Sequence, residues 1–409
     1  MKKLSFLCLI PLFSFAGNLP ELLNLAEQNK QVESSRYMLE SAKEKESSIK
    51  SGYLPSLSLG ANQTYNQEET MFAPEKSRTG SATISFVLYD GGKREASFDQ
   101  QEALVKSATF SLASVQNNVS LNVIYYYYNY ISTLASREST LQKMEQLSAE
   151  RYRLEKYLSV GSATADEIQK IVSTIEQTKV DLLTLENTLN NISNTLEYLT
   201  GREVSVEKGS TVVLQEVKAE DATRFDILAL EESVQSAKAE AQAAKAPHLP
   251  TIKIEDSYSR FKYDYANPAY ANDSDRQNTV QLTMQWKIFD FGSTSSAVQA
   301  AQKMYLSKNS DLAYEKSKAK ASFKSAQNSY QTALAKIEAA KARLQASEMT
   351  YDLVQKKFQN GIVNNVTYLD ALTDKFNARS SLQTALNEVE YQKAVLLYEM
   401  GKEIKGSIQ

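Results

Sequence analysis

The chain repeats its own pattern once, at a spacing near 200 residues, and this duplication constrains the fold more than any other feature. The segment Leu54-Pro55-Ser56-Leu57 is echoed by Leu249-Pro250-Thr251-Ile252, and Tyr89-Asp90-Gly91-Gly92 is echoed by Phe289-Asp290-Phe291-Gly292. Gly161 and Gly201 are likewise echoed by Gly361 and Gly401. Four such pairs in the same order exceed chance, so the two halves are predicted to be structural duplicates.

Each half is predicted to run helix, two strands, long helix, turn and long helix. The first repeat spans 17–200, with strands at about 56–65 and 81–89 and a hairpin tip near 161. The second spans 225–400, with strands at about 251–260 and 279–289 and a tip near 361. Residues 201–224 are predicted to form a mixed equatorial segment between the repeats, and 401–409 a short tail. Pro55 and Pro250 each end a helix, because proline disfavours the αR conformation of the preceding residue.

The four strands are predicted from a period of two in hydrophobicity. In the last strand, Val280, Leu282, Met284, Trp286 and Ile288 alternate with polar residues. The polar stretches 66–80 and 262–278 are predicted to be exposed loops between paired strands. Strands with one apolar and one polar face are typical of a barrel wall, but four strands cannot close a barrel and open edges are excluded from lipid. Closure therefore requires several copies of the chain, and three copies would supply twelve strands.

Long helices occupy most of the remaining sequence. Residues 93–158 contain neither proline nor glycine, which predicts a helix about 99 Å long at 1.5 Å per residue. After Gly161, apolar residues follow spacings of 3, 4 and 7, which predicts coiled-coil packing against neighbouring helices. The members of this seam are Ile168, Ile171, Ile175, Leu182, Leu185, Leu189, Ile192, Leu196 and Leu199.

The N-terminus predicts export from the cytoplasm. Lys2 and Lys3 precede an apolar run that ends at Ala16, which is the pattern of a secretory signal over 1–16, with a buried N-terminal helix as the alternative. The single cysteine, Cys8, lies within this signal, so the mature chain is predicted to lack disulfides.

Composition argues against several classes of function. The net charge of −3 gives no electrostatic case for nucleic-acid binding. One histidine, His248, weighs against imidazole catalysis and histidine-rich metal sites, although carboxylate chemistry stays open. The chain contains no Gly-x-Ser-x-Gly elbow, P-loop or His-Glu-x-x-His motif, so we predict that it is not an enzyme and needs no metal or cofactor.

The doubled order of helix, Leu-Pro-strand, loop, strand, aromatic-Asp, long helix and glycine-tipped hairpin resembles the TolC family of outer-membrane efflux channels. The segments His248-Leu249-Pro250-Thr251 and Val160-Gly161-Ser162 carry the likeness most closely. The resemblance implies a mainly α-helical homotrimer with a 12-stranded β-barrel in outer-membrane lipid and an α-helical barrel across the periplasm. It also implies docking to a periplasmic adaptor (a membrane fusion protein) coupled to an inner-membrane transporter, which together export drugs, toxic compounds or secreted proteins. A periplasmic coiled-coil scaffold or adaptor without a pore is the alternative, although it would need no amphipathic strands.

Two polar stripes on the helices after the tips are candidate channel residues. Their spacing alone fits a solvated outer face as well as a lumen lining. The resemblance favours a lumen lining near the tips, because Thr367 and Asp370 match acidic positions that constrict the periplasmic aperture in the family. Asp374, one turn further along, is a candidate for a second and wider ring. The stripes comprise Thr367, Asp370, Asp374, Asn377, Ser381, Thr384 and Glu388, and Glu167, Lys170, Thr174, Gln177, Asp181, Thr184 and Thr188.

The resemblance also assigns roles to residues at and near the two tips. Glu167, Val363 and Phe358 match positions whose polar link holds the family's closed state, but only Glu167 keeps a charge here. The tips match the family's adaptor-contact motif, although glycine in a tight turn explains them without docking. The tip residues are Val160, Gly161, Ser162, Asn360, Gly361 and Ile362.

Three further sets of residues are given mainly structural interpretations. Asp90 and Asp290 are predicted to cap the helices that they precede. The tyrosines at 125–128 and 130 point all round their helix, which favours packing over a binding site. Trp286, Tyr258 and Tyr65 are candidates for interfacial aromatic girdles, with strand packing as the alternative.

Overall fold

The computed structural model describes residues 15–214, 223–270 and 274–409. The predicted signal sequence therefore lies outside the described residues as far as residue 14. The described chain divides into two compact units, one comprising residues up to 35, 112–225 and 317–409, and the other 36–111 and 226–316. In chain order the elements are β1 (Phe15–Gly17), α1 (Leu19–Ala26), α2 (Lys30–Gly52), β2 (Ser56–Tyr65), β3 (Lys76–Tyr89), α3 (Lys93–Ser159), α4 (Ala165–Thr200), β4 (Val204–Val206), α5 (Phe225–Ala243), β5 (Thr251–Asp264), β6 (Arg276–Gln285), α6 (Ser293–Gln359) and α7 (Asn365–Glu399).

The second unit is built on an antiparallel sheet with the strand order β2-β3-β5-β6. β2 has the predicted bounds, whereas β3 begins at Lys76 instead of 81 and β5 continues to Asp264 instead of 260. These polar ends pair with each other, from Lys76 opposite Asp264 to Gly80 opposite Arg260. The prediction placed them in loops because it used side-chain polarity, whereas a ladder needs only backbone N–H and C=O groups.

β6 differs from the prediction at both ends, because it begins at Arg276 instead of 279 and ends at Gln285 instead of 289. It runs from Arg276 to Gln285, so Trp286 and Ile288 lie beyond the strand although they continue its alternation. Gln285 pairs with Thr251, the first residue of β5, and the preceding residue is Pro250, which has no N–H to donate. The strand therefore ends where its partner ends.

The two aspartates predicted to cap helices behave differently. Asp290 caps α6, because its carboxylate accepts the Gly292 N–H at 3.1 Å and the Thr294 N–H at 2.9 Å. These bonds, and above all the bond from the Thr294 hydroxyl, hold the pKa of Asp290 below its usual value. The prediction was wrong for Asp90, whose buried Oδ2 has no hydrogen-bond partner within the described residues. Arg94, in the first turn of α3, does not pair with Asp90. Its guanidinium lies over the Tyr53 ring, 5.1 Å from the ring centroid.

Glycines of the repeated motif sit where the backbone requires them. Gly91, Gly92 and Gly292 all have positive φ values, and a Cβ on Gly91 would lie 2.5 Å from the Ala246 carbonyl oxygen. The equivalent of Gly91 in the second half is Phe291, which keeps a positive φ of 54°. The second repeat thus keeps the positive φ of this turn, but a residue with a side chain stands where the first repeat has Gly91 packed against the Ala246 backbone.

The first unit has a core where the long helices pass the segment between the repeats. Tyr127 and Tyr128 are buried there, and their hydroxyls donate to the carbonyl oxygens of Glu207 at 2.7 Å and Ser210 at 3.0 Å. Tyr125 is 42% exposed and contacts the Tyr391 ring edge-on. The interpretation of these tyrosines as packing residues is confirmed.

The residues after Gly401 pack within the first unit, although the sequence predicts only a short tail there. Ile404 is fully buried, and its N–H donates to the Asn117 side-chain oxygen at 3.1 Å. Thr211 and Gln409 exchange backbone hydrogen bonds of 2.8 and 3.0 Å. The last residues therefore form part of the segment between the repeats.

Among the helices that the structure describes, none combines the length and the apolar character needed to cross a membrane.

Candidate functional site

The two faces of the sheet differ in chemistry and in accessibility. Along β5, residues with even numbers from Ile254 to Asp264 are exposed, whereas those with odd numbers from Lys253 to Tyr263 are half-buried. The sheet is therefore curved, with the even-numbered side chains of β5 on its convex face. In register with them on that face stand Leu57, Leu59, Ile84, Val280, Leu282 and Met284.

The convex face exposes an apolar surface that water does not favour. Leu57, Leu59 and Leu282 are 68%, 82% and 66% exposed in a single chain. One carboxylate, Asp256, interrupts the surface. The concave face is polar instead, with Ser, Thr and Gln side chains, and the hydroxyls of Thr83 and Ser257 hydrogen-bond across it at 3.1 Å. Such a sheet separates an apolar medium from an aqueous one.

The two hairpin tips in the first unit have matching geometry. Gly161 and Gly361 adopt φ values of +74° and +72°, which confirms the predicted need for glycine. Backbone N–H groups of Ser162 and Ile362 donate to Tyr157 and Lys357 at 2.8 and 2.9 Å, and so satisfy the carbonyl groups of the last helical turn. Val160 and Ile362 are 72% and 68% exposed. Each tip thus presents an apolar side chain beside its glycine, with Ser162 and Asn360 also exposed.

The candidate aperture residues lie on the exposed side of α7. Asp370 and Asp374 are exposed, and neither forms a hydrogen bond or an ion pair within the described part of the chain. The opposite side of the helix is buried between the two hairpins, through Tyr368, Leu372 and Phe376. Thr367 is also exposed, but its hydroxyl lies 2.9 Å from the side-chain oxygen of Asn364, the N-cap of α7. Thr367 is therefore tied to the helix start.

The three residues expected at the closed-state link are not joined to one another by polar contacts. The Glu167 carboxylate accepts the backbone N–H and the hydroxyl of Thr164 at 2.9 and 3.1 Å, so it caps α4. Phe358 stacks on Tyr368, with ring centroids 4.8 Å apart. Val363 is half-buried in the turn before α7.

A cation from the first hairpin contacts Phe358 instead. The Arg153 guanidinium of α3 lies 4.9 Å from the Phe358 ring centroid and also binds the Glu150 carboxylate at 2.8 Å. Burial raises the pKa of Glu150, and Arg153 opposes that rise. The contact joins the two hairpins near their tips by cation–π attraction, a geometry that the sequence pattern did not indicate.

Sequence reasoning also missed a polar seam between α3 and α7. Ser139 donates to the Phe376 carbonyl oxygen at 3.1 Å, and Asn387 donates to the Ser132 hydroxyl at 2.9 Å. Ser136 and Ser380 share a hydrogen bond of 2.6 Å. The α3 residues recur at spacings of 3 and 4, which was the available signal. They lack the apolar character by which buried helix faces are recognised.

The aromatic residues considered for interfacial girdles are partly exposed. Trp286 is 53% exposed, and its indole N–H donates to the His248 carbonyl oxygen at 3.1 Å. Tyr65, at the loop end of β2, donates to Glu75 at 2.9 Å. Tyr258 is 44% exposed on the convex face. Their place in a girdle stays a prediction.

A known protein family matches this chain in two segments, which correspond to the two repeats. A model of the outer membrane efflux protein family matches residues 22–202 and 217–400. Outer membrane protein TolC of Escherichia coli strain K12 is 23% identical over 394 residues, which cover 91% of this chain and 80% of TolC.

Solved structures share the fold at lower identity. CusC, described as forming a transmembrane channel, superposes with a TM-score of 0.84 at 18% identity, over 95% of this chain and 94% of CusC. The outer membrane protein VceC from Vibrio cholerae superposes with a TM-score of 0.84 at 15% identity, over 94% of this chain and 96% of VceC. Because the family model covers both repeats, the chain belongs to the outer membrane efflux protein family.

Proposed function

We propose that the protein, as a homotrimer, forms the exit duct through which an export system carries substrates across the outer membrane. The observation that carries this proposal is the sheet, whose convex face is apolar and exposed while its concave face is polar. Lipid outside and water inside is the environment that such a sheet requires.

Homotrimer assembly is supported by the outer edges of β2 and β6. In the described sheet each of these strands has a partner on one side only, and the backbone groups on the other side cannot face lipid unpaired. Pairing β2 of one protomer with β6 of the next removes both edges. Three protomers give an even-numbered, 12-stranded barrel.

The remaining parts of the transport system are assigned from the family. The hairpin tips would contact a periplasmic adaptor, and Asp370, with Asp374 and Thr367 nearby, would line the aperture. An inner-membrane transporter would choose the substrate and supply the energy. The polar concave face favours a passive duct, because hydroxyl and amide groups select weakly among solutes.

Planar-bilayer conductance of matched variants tests the proposal. We expect the purified protein to give discrete conductance steps. Leu282→Arg should abolish insertion, because it places a charge on the lipid-facing side at a cost of about 2–4 kcal/mol per chain. Gln281→Arg, one residue away on the concave face and opposite Glu255, should insert and change the conductance.

A non-pore scaffold predicts a different outcome. It would give no conductance steps in any form, and Leu282→Arg would change nothing but solubility. Equal insertion of the two variants would show that the assignment of the sheet faces is wrong.

A further inference from the structure

The convex face of the sheet changes from apolar to basic toward the end of the sheet where β2 and β5 finish and β3 and β6 begin. Beyond Tyr258, the side chains on this face include Arg78 on β3, Arg260 and Lys262 on β5, and Arg276 at the start of β6. We call these four residues the cationic patch. All four are exposed, and the Arg260 side chain is 70% exposed.

The cationic patch places like charges directly opposite each other. Arg78 pairs with Lys262, and Arg260 pairs with Arg276, in the registers of two adjacent strand pairs. Directly opposite residues have Cβ atoms about 4.5–5.5 Å apart, and like charges at that distance destabilise a sheet. The two pairs are also adjacent along β5, about 7 Å apart. A sheet with this arrangement needs anions close by.

Among the described residues, carboxylates supply only part of the neutralisation. Asp264 lies 3.5 Å from Arg78, and Asp275 lies 3.4 Å from Arg260, and both contacts are between exposed side chains. Within the described ranges, Lys262 and Arg276 form no ion pair. A further cation, Lys76, lies opposite Asp264.

Two of the neighbouring loop carboxylates, Glu69 and Glu75, are engaged elsewhere. Glu69 accepts the backbone N–H groups of Ala266 and Asn267, and so ties the two loops together. Glu75 accepts the Tyr65 hydroxyl at 2.9 Å. Neither carboxylate contacts the patch within the described residues, so the ion pairs of the four cations there are those with Asp264 and Asp275.

We propose that the cationic patch binds the phosphorylated head group of a lipid in the leaflet on the loop side of the membrane. Guanidinium groups bind phosphate through two parallel hydrogen bonds, and three of the four side chains are arginines. Below the patch, beyond Tyr258 and on either side of the Asp256 carboxylate, Ile254, Leu282 and Ile84 belong to the apolar face on which the acyl chains of the same lipid would pack. A soluble anion would use only the first of these features. This inference rests on the proposed function, because it requires the convex face to lie in a membrane.

Native mass spectrometry of the detergent-purified full-length protein, titrated with diphosphorylated lipid A, tests this inference. We expect wild-type protein to bind this lipid, and to bind the dephosphorylated glycolipid much more weakly. Arg260→Gln with Arg276→Gln should weaken binding by about fivefold for each cation removed, hence about 25-fold together. Asp275→Asn should strengthen binding, because it frees Arg260 from its own carboxylate.

Lys320→Gln with Lys324→Gln is the matched control, since it removes two exposed cations from α6. Equal binding by the Arg260/Arg276 double variant and this control would overturn the inference, and so would equal affinity for the dephosphorylated glycolipid. Displacement of the lipid by millimolar inorganic phosphate would point to a soluble anion instead. Planar-bilayer conductance of the same samples separates the two proposals, because a protein that binds no lipid A but still forms pores refutes only this one.

Discussion

Gly201 and Gly401 occupy equivalent positions in the two repeats, yet only one of them is enclosed. Both adopt a left-handed conformation, with φ values of 76° and 67°. Among the described residues other than its chain neighbours, none has an atom within 4 Å of a Cβ built on Gly201, whereas a Cβ on Gly401 would lie 2.3 Å from the Thr223 carbonyl oxygen. The same substitution therefore has different costs at the two sites.

We predict that Gly401→Ala destabilises the protein clearly more than Gly201→Ala. Both changes force alanine into a left-handed conformation, at about 1–2 kcal/mol. Gly401→Ala adds an overpacking cost of about 1–3 kcal/mol, because backbone atoms must move. Thermal unfolding followed by helical circular dichroism measures the difference. Equal melting temperatures of the two variants would show that the enclosure at Gly401 relaxes freely.

A second contrast between residues concerns the two arginines of α3 near the first tip. Arg153 binds Glu150 at 2.8 Å, where the glutamate side chain is 9% exposed. Arg151 binds Glu155 at 3.3 Å, and both of those side chains are 47% exposed. Exposed ion pairs contribute little, whereas removal of one partner from a buried pair leaves an uncompensated charge.

We predict that Arg153→Met destabilises the protein by roughly 2 kcal/mol at pH 8, and that Arg151→Met has little effect. The folded-state pKa of Glu150 is already raised by burial, and loss of Arg153 raises it further. Stability linked to a raised carboxyl pKa is fully present below the unfolded-state pKa and is lost as pH rises through the folded-state pKa. The penalty of Arg153→Met should therefore shrink between pH 8 and pH 4, in thermal melts, and Glu150→Gln in the same background should remove that pH dependence.

At the scale of elements, alternation in the sequence predicted which strands exist and which face is apolar, but not where the strands end. β5 continues to Asp264 because its partner Lys76 continues the ladder, and neither residue looks like a strand residue in a window of sequence. Trp286 and Ile288 look like strand residues but lack a partner strand. Strand ends are set by pairing between distant segments, which a local pattern does not contain.

The polar stripes show the same limit for candidate functional residues. Spacing assigns Thr367 and Glu167 to polar helix stripes, and in the structure Thr367 is exposed whereas Glu167 is half-buried. It could not show that Thr367 contacts Asn364 and that Glu167 caps α4. Polar residues in a first helical turn serve the cap as readily as a channel, and only the hydrogen bonds separate the two uses.

The hairpin tips lead to a prediction about whole elements. Gly161→Val together with Gly361→Val should impair export while the trimer still assembles and inserts. Both glycines have positive φ, and apart from their chain neighbours the part of the chain that the structure describes places no atom within 4 Å of a built Cβ. Valine would therefore strain and reshape the turns without clashing with the helices. Drug resistance or secretion in a deletion strain measures export, and conductance in bilayers measures assembly.

A matched pair of changes separates turn shape from general damage to the tip. Ser159→Ala and Gln359→Ala alter exposed residues beside the same turns and leave the tip residues in place, so they should export almost as well as the wild type. Normal export by the double valine variant would show that the adaptor does not depend on the shape of these turns.

At the scale of the whole molecule, three-fold symmetry would multiply single side chains into rings. Asp370 is exposed on α7 and has no partner among the described residues, so a homotrimer would bring three such carboxylates round one axis if this face lines the lumen. A ring of carboxylates favours cations and binds di- or trivalent cations tightly, because a multivalent ion relieves the repulsion between them. Thr367, held by Asn364, adds no charge.

We predict that a trivalent cation added on the periplasmic side blocks single-channel conductance, and that Asp370→Ala greatly weakens this block. Asp374→Ala should weaken it less, because that residue would form a wider ring one turn further along. Glu348→Ala, which removes an exposed carboxylate from α6, should leave the block unchanged. Block of unchanged affinity in Asp370→Ala would mean that this side of α7 faces the solvent outside the channel.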